Sequence, residues 1–354
     1  MNIGIDVRKL HDYGVGTHIR NVVLRAAEMA ENHRFFLYCS PGDARTPNGN
    51  LIWVPEASSK YSVREHFSLA KKAARDEVTL FHAPHYTLPL ALRCKSIVTV
   101  HDLIHLQLSH YFPAWKVQAA KLLLRRAIAK ADVVLTVSHT SKEEIVQFFP
   151  QAEQKVEVIY NCLSEDWLQS PPQTDLSNLG IAQDFILYVG NFKKHKSIDV
   201  LLEAYGRLKD APQLVLAGYR DPMDERLAEK ISGASGVRLL GFVEGPLLRR
   251  LYSAATLFVF PSIYEGFGYP PLEAMISGAP VLSSDASSLK EILGDAAEFF
   301  VKGSSEDLTE KLMRLLQDSG KRAALRQAGI RRAKEFVSTK SAEKLLQIYN
   351  RFQP

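Results

Sequence analysis

The feature that most constrains this chain is a rhythm. Short apolar runs alternate with longer amphipathic stretches, stop, and then start again. From the N-terminus the runs are residues 3–7, 35–38, 78–81, 96–100, 132–137 and 156–160, with helical periodicity over 17–30 and 115–130. Such alternation predicts a parallel sheet wrapped by helices, because parallel neighbours are joined by crossovers and not by tight hairpins. The rhythm breaks near residues 164–175, where Pro171 and Pro172 sit among polar neighbours. It resumes at 185–189, 213–217, 237–240 and 257–260, interleaved with helical patterns over 198–208 and 226–232. Late helices over 308–317, 321–336 and 339–352 are expected to finish the chain without further strands. A length of 354 residues agrees with two cores, since single cores stop growing near roughly 250–300 residues.

Composition excludes several function classes. At 46% hydrophobic and 23% charged, the chain has the usage of a folded globular protein. A net charge of +5 is too dilute over this length for a dedicated nucleic-acid binder, but it leaves small anionic ligands in play. Cys39, Cys94 and Cys162 are odd in number and far apart, which points to a reducing compartment and a cytoplasmic protein. The N-terminus has no basic region followed by a long apolar one, and no run approaches the ~18 apolar residues of a spanning helix. Membrane contact, if made, is expected to be peripheral.

In open parallel sheets ligands bind beyond the carboxyl ends of the strands, so the residues that follow each run carry the most information. The richest such segment is 258–275, where an apolar strand meets Glu265-Gly266-Phe267-Gly268 and then a helix opened by Pro270 and Pro271. Glycines allow close backbone approach, and a helix N-terminus favours an anion. Glu265 and Glu273 would repel that anion unless they accept hydrogen bonds from neutral hydroxyls, and a nucleotide sugar supplies both phosphate and hydroxyls. The pair His101-Asp102 follows the 96–100 run, and His82 and His85 follow another. The last two have the spacing of a metal pair, but no third ligand stands at a suitable interval, so no metal site is expected. Tyr13-Gly14-Val15-Gly16-Thr17 is read as a loop between the first strand and the first helix.

On these residues the chain resembles the glycosyltransferase family 4 (group 1) enzymes, with Glu265 to Glu273 matching their E-x7-E motif. The similarity extends through Gly4-Ile-Asp-Val-Arg-Lys9, Thr99-Val-His101-Asp102, Val158-Ile-Tyr-Asn161, Tyr188-Val-Gly190-Asn191, Leu240-Gly-Phe-Val243 and Ser284-Asp-Ala-Ser-Ser-Leu289. The resemblance implies an α/β GT-B architecture, two Rossmann-like domains facing across a cleft. Residues 1–165 would form the N-terminal acceptor-side domain, 166–180 the linker and 181–338 the nucleotide-sugar donor domain. The C-terminal helix 339–354 would pack back on the first domain.

Carried over residue by residue, the resemblance gives Glu273 the donor ribose and Glu265 the hydroxyls of the transferred sugar, with Gly266, Phe267 and Gly268 lining that sugar. Lys196 would neutralise the leaving diphosphate, in a loop where Asn191 replaces the Arg often found in the family. Gly14 and Gly16 would lie beside the donor phosphate, while Gly241, Phe242 and Val243 would border the nucleobase, with Glu244 at a guanine edge. His101 would act in catalysis, and His82, His85 and Asp102 would line the acceptor side. The implied reaction is retaining transfer of a hexose, mannose from GDP-mannose first and UDP-glucose next, to a hydroxyl of a saccharide or lipid-linked acceptor in polysaccharide biosynthesis. Retention rests on the resemblance alone. No Asp-x-Asp motif stands near a strand end, so the reaction is expected to need no metal or other cofactor beyond the nucleotide sugar. Two basic sets, residues 116–130 and Lys60, Arg64, Lys71, Lys72 and Arg75, suit an anionic surface at the inner face of the membrane. The alternatives are a nucleotide-sugar epimerase on a similar scaffold, or a nucleotide-sugar-binding protein that has lost turnover.

Overall fold

The computed structural model describes residues 1–171, 173–218, 224–337 and 339–353. Two α/β units emerge, one of Met1–Cys162 with the C-terminal helix, the other of Leu163–Val337. The first unit has seven parallel strands: β1 (Asn2–Asp6), β2 (Arg34–Cys39), β3 (Leu51–Pro55), β4 (Leu80–Ala83), β5 (Lys95–Val100), β6 (Val133–Thr136) and β7 (Val156–Val158). Its helices are α1 (Tyr13–His18), α2 (Arg25–Glu28), α3 (Val63–Arg75), α4 (Ile104–Gln107), α5 (Ala114–Lys130) and α6 (His139–Phe148), with a π-helical stretch Ile19–Leu24 joining α1 to α2. The second unit has six: β8 (Phe185–Val189), β9 (Gln213–Ala217), β10 (Val237–Gly241), β11 (Leu257–Phe260), β12 (Val281–Ser284) and β13 (Glu298–Phe300). Around them lie α7 (Ile198–Gly206), α8 (Glu225–Gly233), α9 (Gly245–Ala254), α10 (Tyr269–Ile276), α11 (Leu289–Leu293), α12 (Ser305–Gln317) and α13 (Ser319–Lys334). The chain ends with α14 (Lys340–Asn350), which belongs to the first unit.

The sheet orders are β3-β2-β1-β4-β5-β6-β7 and β10-β9-β8-β11-β12-β13. Each chain path steps outward from its first strand and then returns to the other side of that strand. The reversal falls between β1 and β4 in one unit and between β8 and β11 in the other, so the loops leaving those strands diverge and open a crevice. Central strands are buried throughout, as in β8 (Phe-Ile-Leu-Tyr-Val) and β11 (Leu-Phe-Val-Phe), because helices cover both faces. Edge strands such as β3 and β10 are only partly buried.

Several expectations need correction. Strands β12 and β13 follow residue 260, and β3 was not anticipated either. Strand β12 reads Val-Leu-Ser-Ser, too polar for an apolar-run rule; its buried Ser284 is accommodated because its hydroxyl donates to the Ser262 carbonyl. The segment 13–17 is the start of α1, not a loop. A Cβ on Gly16 would come 2.4 Å from the Leu10 carbonyl oxygen, so this glycine serves close packing. The described residues of the expected linker, 166–180, make contacts within the second unit: Trp167 packs on Tyr252, and Arg250 and Arg238 donate to the carbonyls of Thr174 and Leu179.

In the first unit α14 buries Ala342, Leu345, Ile348 and Tyr349 in the core that also holds Ile3, Ile5, Phe35 and Leu37. There the Tyr349 hydroxyl lies 2.6 Å from His82 Nδ1, and His82 Nε2 lies 2.9 Å from Thr99 Oγ1. His82 is therefore a core residue with both ring nitrogens engaged, and the expectation that it lines a binding surface is wrong. Burial pushes its pKa down to about 3. Tyr349→Phe leaves a buried His82 nitrogen without its partner. It is expected to lower stability by about 1–3 kcal/mol, measured by urea denaturation.

Candidate functional site

The second unit builds its site at the β8/β11 reversal. After β8, Gly190 is required because a Cβ there would lie 2.6 Å from the Tyr188 hydroxyl, which donates to the Asn191 carbonyl at 2.7 Å. The Asn191 side chain accepts from the Lys193 backbone N–H at 3.3 Å. Asn191 thus shapes the turn and supplies no cation. A 3₁₀ turn, Lys194–Lys196, then delivers Lys196 at the entrance to α7.

After β11 the chain is fixed at several points. The His195 carbonyl accepts from Ile263 N–H at 2.8 Å and from the Ser262 hydroxyl at 3.1 Å, which ties the lysine loop to the glutamate loop. The Ser287 hydroxyl both accepts from the Glu265 N–H and donates to the Glu265 carbonyl, each at 2.8 Å. Ser288 donates to the same carbonyl at 2.9 Å. Gly268 has φ +103°, and a Cβ there would meet Leu289 Cδ2 at 2.7 Å, so no other residue fits this corner. Pro270 and Pro271 occupy the first turn of α10 and carry no N–H, so the helix N-terminus is a poorer anion site than the sequence pattern suggested. The Phe267 side chain is buried against Tyr269 and Phe336.

The outcome is a close ion pair, with Lys196 Nζ 2.5 Å from Glu265 Oε1 and the two side chains 12% and 14% exposed. The ammonium also lies 5.5 Å from the Phe260 ring centroid. One helical step further, Glu273 Oε2 accepts from the Tyr252 hydroxyl at 3.0 Å. Burial raises the Glu273 carboxyl to about 7, against the opposing effect of the Tyr252 hydrogen bond. Gly241, at φ +70°, and the half-exposed Phe242 end the edge strand β10 and lead to a buried Val243.

The first unit places its polar residues at the β1/β4 reversal and the end of β5. His101 Nε2 lies 3.0 Å from the Pro84 carbonyl. A carbonyl only accepts, so Nε2 carries the proton. Burial lowers the His101 pKa, so the ring is neutral and Nδ1 is its acceptor. The His18 ring meets His101 edge-on at 4.9 Å and is itself held 2.8 Å from Asn161 Oδ1. Asp102 turns back to accept from the Ile104 N–H. His85 contacts the Tyr61 hydroxyl at 3.0 Å and Thr87 Oγ1 at 3.1 Å. Gly14 is exposed on α1.

Of the residues expected from sequence, the structure brings together Lys196 and Glu265, with Glu273 on the adjoining helix. His85 and His101 sit with the first unit's loop-side residues, and His82 does not. Sequence reasoning missed Tyr252, Ser287, Ser288, His18 and Tyr61. The two serines lie within a quoted motif, but nothing local marks them as partners of a loop more than twenty residues earlier.

Two parallel-sheet units, each with polar loops at its reversal, make a pair of doubly wound domains of the GT-B kind. Models of known families match both: "Glycosyltransferase Family 4" over residues 13–167 and "Glycosyl transferases group 1" over 177–332. The chain is 32% identical over 268 residues to O-antigen chain mannosyltransferase B of Escherichia coli, covering 73% of this chain and 70% of that protein. It is also 32% identical over 232 residues to N-acetylgalactosamine-N,N'-diacetylbacillosaminyl-diphospho-undecaprenol 4-alpha-N-acetylgalactosaminyltransferase of Campylobacter jejuni, covering 64% and 62%. Sucrose-phosphate synthase from Thermosynechococcus elongatus has the same fold, with a TM-score of 0.82 at 20% identity over 99% and 98% of the two chains. The chain belongs to the group 1, family 4 glycosyltransferases and is a hexosyltransferase.

An acid whose pKa is raised by folding stays protonated in the fold while the unfolded chain has already ionised. It therefore costs stability as pH rises from about 4.5, and the cost is complete above about 7. Glu273→Gln removes that cost. The variant is expected to gain stability relative to wild type between pH 5 and pH 8, by an amount on the order of 1–3 kcal/mol, measured by denaturation at both pH values.

Proposed function

We propose that the enzyme transfers mannose from GDP-mannose, with retention, to a hydroxyl of a saccharide or lipid-linked acceptor. The observation that carries this reading is the Lys196–Glu265 pair at the β8/β11 reversal. An incoming diphosphate competes with Glu265 for the ammonium. Lys196 then neutralises the leaving group, and the released carboxylate accepts from hydroxyls of the sugar. Glu273 accepts from the ribose, and Gly241 to Val243 border the base. Gly14, Gly266 and Gly268 let backbone approach the donor. On the acceptor side, His101 Nδ1 accepts a hydroxyl proton contact and His85 and Asp102 line the surface. Neither carboxylate is assigned as a nucleophile, so the leaving phosphate oxygen takes the acceptor proton on the face from which it departs. Cationic charge comes from Lys196, and the reaction needs no metal. The E. coli relative, by its name a mannosyltransferase, supports the choice of sugar.

The reading includes a cytoplasmic location and a peripheral membrane contact. Among the described residues no helix is long and apolar enough to cross a membrane. Helix α3 exposes Val63 and Phe67 beside Arg64, Lys71 and Arg75, and α5 exposes Trp115 and Leu122 beside Lys116, Lys121, Arg125, Arg126 and Lys130. These are the ingredients of an interfacial face for anionic lipid.

Incubation with GDP-mannose and a mannoside acceptor is expected to release GDP at the same rate with and without EDTA. Lys196→Ala is expected to lower kcat by about 10²–10³ without unfolding. GDP release that requires added divalent metal, or an undiminished rate in the variant, contradicts the reading. Co-sedimentation should be strong with phosphatidylglycerol vesicles and weak with phosphatidylcholine ones; equal partition removes the membrane contact.

A further inference from the structure

Among the described residues the Glu273 carboxyl is held by one side chain, that of Tyr252. Tyr252, on α9, is fully buried, and its ring packs against Phe258 at 5.5 Å and Trp167 at 6.1 Å. Burial and the adjacent Glu273 push its own ionisation far above the ordinary range, so the hydroxyl keeps its proton and can donate it. It donates to Oε2 at 3.0 Å. A carboxylate has about four acceptor positions over its two oxygens. The Tyr252 bond takes one of these positions on Oε2 and leaves the others for further donors.

We infer that Tyr252 is a positioning residue for the donor: its hydroxyl holds Oε2 of Glu273 so that the remaining acceptor positions meet the 2′,3′-diol of the ribose. The inference rests on the proposed role of Glu273. On α9 itself Arg249 and Arg250 donate to the Gln169 and Thr174 carbonyls and do not take this place. The 165–168 turn carries Glu165 and Asp166, both exposed, and Arg326 of α13 lies against Gly278 beyond the far end of α10. Strands β11 and β12 bring no titratable side chain. Tyr188 of β8 is fully buried and donates to Asn191 instead.

The test titrates GDP, UDP and their 2′,3′-dideoxy forms into wild type, Tyr252→Phe and Glu273→Gln by calorimetry. Wild type is expected to prefer the ribose form of its nucleotide at least tenfold. Tyr252→Phe should lose about five- to twentyfold in affinity for that form and nothing for the dideoxy form. Glu273→Gln should lose the preference altogether. If Tyr252→Phe weakens both forms equally, or neither, Tyr252 has only a packing role and the inference fails while the reading of Glu273 stands. If Glu273→Gln keeps the ribose preference, or wild type binds no diphosphate, the reading beneath it fails instead. Tyr252→Leu, which keeps an apolar filler, supplies the same comparison should the phenylalanine variant not fold.

Discussion

The site depends on one electrostatic contact, the Lys196–Glu265 ion pair. Two opposite charges at 2.5 Å, each mostly withdrawn from water, are costly to bring together unless both are held. The fold does the holding. Lys196 is delivered by a tight turn beneath a glycine that admits the Tyr188 hydroxyl, and Glu265 by a backbone bracketed by Ser287 and Ser288. The His195 carbonyl joins the two loops directly, so a shift in one carries the other with it. What results is a close ion pair set in place by the backbone around it, and the exchange proposed for it would hand the cation to a charged leaving group and turn the carboxylate to neutral hydroxyls.

The reason both loops arrive at the same place is topological. In the second unit β8 and β11 are neighbours in space although two strand–helix repeats separate them in sequence. Their outgoing loops leave at the point where the strand order reverses, and both charged residues lie there. The first unit repeats the plan at β1 and β4, with His85 after β4 and His101 after the next strand. Its C-terminal helix, through Tyr349, is locked into the core at His82.

Much of this was legible in the sequence because parallel strands buried on both faces are written as continuous apolar runs. Strands β8, β9 and β11 were read at their observed limits. Strand β12 was not, since half of it is serine satisfied by hydrogen bonds to distant backbone. Lys196, Glu265 and Glu273 were singled out by spacing and resemblance, whereas their supports were not. Tyr252, Ser287 and Ser288 are defined by what they touch, and touching is not encoded in local order. His82 was misread for the same reason: a histidine near a strand end gives no sign that a tyrosine from residue 349 will close over it.

Binding of GDP to wild type and to Lys196→Met, followed by calorimetry at low ionic strength, tests the heart of this account. If the lysine serves the diphosphate, the variant should bind GDP at least tenfold more weakly, while guanosine, which has no phosphate, should not discriminate between the two proteins. Equal GDP affinities would mean that Lys196 only neutralises Glu265, and that the charge of the leaving group is met elsewhere.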